Sequence, residues 1–331
     1  MAEGEIEVQA AAREFKDRKI RLVVLGIIQI LLGCLALLLS AGVFASSMIA
    51  VHKNPEFNLK QIILGALLYL VISICLIWLG IGLIMTRRWA RALGLILSWV
   101  WLLAGTMGFI FGLIMIPSML KNIQAGTTNT PKGLLAGVII GVLGFMSIFY
   151  VILPGIFVLL LRGRNVKITC ENRDAKIRWT DKCPLPVLAV SLLMTVSAIS
   201  MLFMGIYNWT IPIFGKLITG HAGAAIVLIL VLIYAYTAWA IYKLKISGWW
   251  VLISLLILMS ISMFISFSQI NMAEYMDKMG LNSGQYQNMN FKAMLILCGG
   301  WSVFMIVYLL YIRKYFKREN NENFLQANEM N

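Results

Sequence analysis

Charge is what this sequence has least of. Asp, Glu, Lys and Arg make up 13% of the residues and hydrophobic residues 60%, whereas a soluble domain is about 25% charged. So few charges could not cover a soluble surface, and the mean hydropathy of +0.86 agrees. None of the fourteen acidic residues falls within an apolar run, and Lys and Arg reach only the edges of the runs. Proton relays and ion-coupled pumps usually hold ionisable groups at membrane depth, so their absence argues against a proton-coupled pump. A facilitator, or a carrier whose ion sites use carbonyls and hydroxyls, stays open.

Histidine is nearly missing. His52 and His221 both lie near run ends, and with Glu56, Glu274 and Asp277 they exhaust the imidazoles and carboxylates assigned to the outer side. They would form a metal or proton site only if distant loops met. No H-E-x-x-H, G-x-S-x-G or phosphate-loop pattern occurs. The expectation is therefore no catalytic, cofactor-binding or metal-ligating residue, and no enzyme. Of five cysteines, Cys34, Cys75 and Cys298 lie in apolar runs, where a thiol acts as a small hydrophobe. Cys170 and Cys183 fall on the side read as cytoplasmic and lack the partners a zinc site needs.

What is present is a series of eight apolar runs: Leu22–Val43, Ile62–Met85, Ala92–Ile116, Leu134–Leu161, Pro184–Tyr207, Ala222–Tyr242, Trp249–Phe267 and Phe291–Ile312. Each is near or above the ~20 residues needed to cross ~30 Å of hydrocarbon. The fold expected is an all-α polytopic transmembrane helix bundle of about eight spans. The first run is too long for the h-region of a cleaved signal peptide, despite the basic residues before it.

Of the 28 Lys and Arg, twenty-one lie in the N-terminal segment, the C-terminal tail and every second connection between them. The other connections share seven: Lys53, Lys60, Lys121, Lys132, Lys216, Lys278 and Lys292. That asymmetry is a positive-inside pattern and places both termini in the cytoplasm. The net charge of +14 is then a signature of topology rather than of nucleic-acid binding. Contact with anionic headgroups on the cytoplasmic side follows from it.

The segments are a cytoplasmic N-terminal stretch (1–21), a first four-span half (22–161), a basic connector (162–183), a second four-span half (184–312) and a C-terminal tail (313–331). Because each half holds four spans, both begin and end inside, and any duplication would be a parallel one. The short inner turns Thr86–Arg91 and Lys243–Trp250 both carry cations and indoles suited to an interface.

The connector holds Arg173, Arg178, Trp179 and Asp181. It reads either as a docking surface for a partner or an anionic lipid, or as an interfacial link ending in a helix start. Pro184 and Pro186 suit a first helical turn, with Asp181 near that terminus. The run Trp179-Thr180-Asp181-Lys182-Cys183-Pro184-Leu185-Pro186 resembles one in bacterial eight-span membrane proteins of no assigned role. The resemblance covers these eight residues and implies a bacterial inner-membrane protein, with no activity attached.

Packing signals stand inside the runs. Gly133, Gly137 and Gly141 form a small-xxx-small face in the fourth run, and Gly108 and Gly112 offer a matching one in the third. Pro154 should free the Tyr150 carbonyl and kink the fourth helix. Gly26, Gln29 and Gly33 share a face of the first run, from which Gln29 should point into the bundle, and Ser191 and Thr195 form a polar stripe in the fifth. These faces serve either helix packing or a solute path. Met272, Met276 and Met279 make a helical stripe in the last outer loop, readable as a soft Cu(I) collector or as an amphipathic helix on the leaflet. Asn208-Trp209-Thr210 matches a glycosylation acceptor set close to the bilayer. Function narrows to a non-enzymatic component that assembles with itself or another membrane protein, or an uncoupled small-solute carrier.

Overall fold

The computed structural model describes residues 17–53, 59–126, 132–279 and 291–316. The helices are α1 (Lys19–Lys53), α2 (Leu59–Ile84), α3 (Arg88–Gly126), α4 (Lys132–Ser147), α5 (Leu153–Leu161), α6 (Arg164–Arg173), α7 (Leu185–Leu202), α8 (Gly220–Tyr242), α9 (Ile246–Gln269), α10 (Met272–Lys278) and α11 (Phe291–Ile312). Seven helical stretches among the described residues are long and apolar enough to cross a membrane, from Lys19–Ile49 to Ile246–Gln269. The chain is a multi-pass, predominantly helical membrane protein. The eighth apolar run coincides with α11, 22 residues long.

The helices outrun the apolar runs. At ~1.5 Å per residue, the 35 residues of α1 extend about 52 Å, well beyond the hydrocarbon core. One departure from an all-helical chain is a hairpin between α7 and α8. Strand β1 (Ile211–Ile213) pairs antiparallel with β2 (Lys216–Ile218), Ile213 facing Lys216. Its two loop residues, Phe214 and Gly215, both have positive φ, of 45° and 82°, the condition of a tight primed turn. Their N–H groups donate to Ser262 Oγ at 3.1 Å and Ser266 Oγ at 3.0 Å, one helical turn apart on α9. With Pro212 in one strand, Gly215 in the turn and only three residues to each strand, the segment gave no alternating strand pattern to read.

Pro154 acts through register. A π-turn at Ile148–Ile152 joins α4 to α5, and the Leu153 N–H reaches back to the Ile148 carbonyl. The Tyr150 carbonyl, which Pro154 cannot serve, lies against Gly105 of α3, where a Cβ would collide with it. The approach of the third and fourth spans thus falls at Gly105. The glycines expected to form a packing ladder lie elsewhere on these helices. Among the described residues, a Cβ built on Gly108, Gly137 or Gly141 meets nothing within 4 Å. The spacing is right for packing, but no described atom stands against these three positions. Gly112 is half-buried, and the surroundings of Gly133 lie outside the described residues.

The chain divides into two compact units, residues 1–105 with 145–182, and 106–144 with 183–331. In the first, α1 and α2 close on glycines. A Cβ on Gly26 would sit 2.7 Å from the Gly80 carbonyl, and one on Gly33 2.7 Å from Ile77 Cγ1. Ser73 Oγ donates to the Gly33 carbonyl at 2.7 Å. In the second unit, Ile211 of the hairpin forms a buried cluster with Val227, Leu230 and Leu255.

The two units share local details at corresponding places. After α2, Thr86 takes φ 55°, with Thr86 N–H to Leu83 O and Arg87 N–H to Gly82 O. After α8, Leu244 takes φ 56°, with Leu244 N–H to Ile241 O and Lys245 N–H to Ala240 O. Both are the same helix-ending motif, closed by residues other than the usual glycine. Beyond each turn the next helix packs on the last, Gly82 against the Ala90 Cβ and Gly248 against the Ala240 Cβ. Arg91 Nε donates to the carbonyl of Leu161, and Trp249 Nε1 to that of Leu309. Both leucines are fully buried. Along α1, the buried set Leu22, Leu25, Gly26, Gln29 and Gly33 has the spacing of Val187, Val190, Ser191, Met194 and Ala198, also buried, along α7.

Candidate functional site

Two places gather the residues singled out from the sequence. The first is the connector. Amphipathic α6 buries Val166, Thr169 and Cys170, and the chain then turns at Asp174, a carboxylate only 3% exposed. Three arginines converge on it. Arg87 Nη1 lies 3.5 Å from one oxygen and Arg178 Nε 3.7 Å from the other, and the Arg88 backbone N–H donates to it at 3.3 Å. Arg88 Nη2 also donates to the Glu171 carbonyl at 3.0 Å. Arg88 Nε and Arg178 Nε are buried and make no hydrogen bond among the described residues.

Asp181 does not serve the helix it precedes. Its carboxylate accepts the Arg178 N–H at 3.0 Å and caps the single turn Trp179–Asp181. Helix α7 instead begins behind Pro184, with Pro186 in its first turn. Trp179 is 45% exposed. Arg173 pairs with Asp17 at 2.7 Å, and the Arg18 N–H donates to Thr169 Oγ1 at 3.1 Å, so the start of α1 is strapped to α6. The hydrogen bond from Arg173, then that from the Lys19 N–H, holds the Asp17 carboxyl below its ordinary range. Burial pushes the Cys170 thiol up to about 11 and the Cys183 thiol up to about 12. The hub at Asp174 has no mark in the sequence: one of three acids among seven cations carries no sign of burial.

The second place is a groove of about 450 Å³ between α7 and α8, lined by Ser191, Thr195, Ile199, Leu202, Val231, Ala235 and Trp239 among others. Its hydroxyls are already engaged, Ser191 Oγ donating to the Ala238 carbonyl at 2.8 Å and Thr195 Oγ1 to the Ser191 carbonyl at 2.9 Å. The remaining lining is hydrocarbon, the indole of Trp239 and the phenol of Tyr242.

Gln29 is 3% exposed, and its Oε1 has no hydrogen-bond partner among the described residues. Other buried span hydroxyls are bonded to backbone: Ser40 to Ala66 O, Ser98 to Gly94 O and Thr237 to Ile233 O. After α9, Glu274 pairs with Lys278 at 2.8 Å, Met276 and Met279 are half-buried, and the side chain of Met272 lies outside the description. His221 stands in the first turn of α8, and the surroundings of His52 and Glu56 are outside the description. Among the described residues no group of three His, Cys, Asp or Glu is placed to hold a metal. Thr210 of the glycosylation triplet is fully buried and donates to the Lys278 carbonyl at 3.2 Å. Compared with known proteins, the chain matches no family model, no curated protein and no solved structure.

Proposed function

We propose that this protein is a non-enzymatic component of the plasma membrane, the inner membrane of a bacterium, that works by assembling with a second copy or another membrane protein. It crosses eight times, with α11 as the eighth span and both termini in the cytoplasm, as the positive-inside charge pattern supports. The two halves are a parallel duplication. The matching helix ends at Thr86 and Leu244, and the matching side-chain bonds to Leu161 and Leu309, support common descent more than residue identity does.

One observation carries the functional reading: the polar groups buried in the described spans are spent on packing. Ser73, Ser98, Ser191 and Thr237 donate to backbone carbonyls, while Ser262 and Ser266 accept from the hairpin turn. Gln29 Oε1 is the exception, and it supports the second reading, an uncoupled carrier with a path through the bundle. Its counterpart on α7 is Met194, buried as well, which favours packing at that place in both halves.

The test is a photo-crosslinking residue at Leu159 or Phe264, 75% and 64% exposed, activated in native membranes. The expected result is a discrete adduct of the chain with itself or one other protein. Adducts with lipid alone at both positions would contradict assembly.

A further inference from the structure

We propose that the groove between α7 and α8 binds an anionic phospholipid, one acyl chain lying along it and the phosphate held at its Lys245 end. In the topology above, that is a lipid of the cytoplasmic leaflet.

The groove arises where the two halves differ. In the first, Gly26, Gly33 and Gly80 bring α1 and α2 into backbone contact. The corresponding places in the second are Ser191, Ala198 and Ala238, all three lining the groove. Added side chains hold the helices apart, and the space has no filling of its own.

Its lining selects the occupant. With Ser191 and Thr195 already donating to carbonyls, the groove away from Trp239 and Tyr242 offers a sugar, an ion or an amino acid no free donor. A hydrocarbon chain needs none. From Ser191 to Leu202 the groove follows α7 for about 16 Å at ~1.5 Å per residue, close to one leaflet of a ~30 Å hydrocarbon core. A volume of about 450 Å³ over that length gives a section of about 30 Å², narrower than a helix ~10 Å across.

Charge marks one end. Trp239 lines the groove, and the Lys245 ammonium stands 4.1 Å above its ring. Lys243 and Lys245 are both exposed. The carboxylates described in this unit are Glu274 and Asp277, on α10, which follows the opposite end of α9. No described ion pair engages either lysine, so a phosphate answers both.

The experiment is native mass spectrometry of the delipidated full chain in detergent, offered phosphatidylglycerol and phosphatidylcholine with the same acyl chains. The wild type is expected to retain several-fold more phosphatidylglycerol. Lys245→Gln should bring it down to the phosphatidylcholine level. Ala235→Trp, which fills the groove from an exposed position, should lose both. Equal retention of the two lipids by the wild type, or a preference untouched by Lys245→Gln, overturns the proposal. So does a dimer that Ala235→Trp dissolves, since the groove would then hold a second copy. The Lys245→Gln comparison alters no buried contact and decides the matter alone if Ala235→Trp does not fold. Micelles have no sides, and the site needs no partner, so failure here is separate from failure of the topology or of the assembly reading.

Discussion

Gln29 and Met194 occupy corresponding places on α1 and α7, yet only one carries an amide. Burying an amide oxygen without a partner costs ~1–3 kcal/mol, and methionine has a similar shape. Gln29→Met is therefore expected to raise stability in detergent by about 1 kcal/mol, read as a higher melting temperature. A fall of that size would show that the amide is bonded in the working protein. Glycine makes a sharper contrast. Gly105→Leu would drive a side chain into the Tyr150 backbone and should cost ~1–3 kcal/mol or more. Gly137→Leu, with open space at its Cβ, should leave the melting point where it is. Equal losses would restore the ladder read from the sequence. Cys170 and Cys183 give a chemical readout. Burial raises both above the free-thiol range, to about 11 and about 12, so their neutral forms persist past pH 9 and the reactive thiolate is scarce. The stability tied to these raised values is complete below the free-thiol range and is lost as pH climbs toward them. Maleimide at pH 7.5 should modify both only after unfolding, as read by peptide mass spectrometry. Rapid labelling of the folded chain would contradict their burial.

At the scale of elements, the helices were legible and their partners were not. Long apolar runs bounded by cations leave little choice but membrane helices, and the missing donor of Pro154 was visible, though the π-turn that accommodates it was not. The small-residue spacing was legible as a pattern, but which glycine faces meet a neighbour depends on how helices cross, which no local signal carries. Gly26 and Gly33 meet backbone while Gly137 and Gly141 do not, although the spacings are alike. The Asp174 hub had no sequence mark, and neither did the hairpin, whose turn is held by Ser262 and Ser266 from a distant helix. A Ser262→Ala, Ser266→Ala pair should loosen that turn by ~0.5–1.5 kcal/mol per lost bond, seen as faster amide exchange at Phe214 and Gly215. Unchanged exchange would mean that strand pairing alone holds it.

For the whole molecule, the charge pattern and the absence of carboxylate and imidazole from the middle of the spans yield two expectations. A reporter fused after Asn331 should stay cytoplasmic, and a probe placed within Gly280–Asn290 should react from outside intact cells. Labelling of that loop only after permeabilisation would overturn the topology. The central claim is that nothing at mid-depth can bind and release a proton, because the middle of the spans holds neither carboxylate nor imidazole and the buried hydroxyls there are committed to backbone. Its direct measurement is the pH inside liposomes bearing the purified protein and a trapped pH dye, under an imposed gradient of about one unit, with and without added solutes. The account predicts a gradient as stable as in protein-free vesicles, whereas a protein-dependent collapse abolished by Gln29→Leu would contradict it.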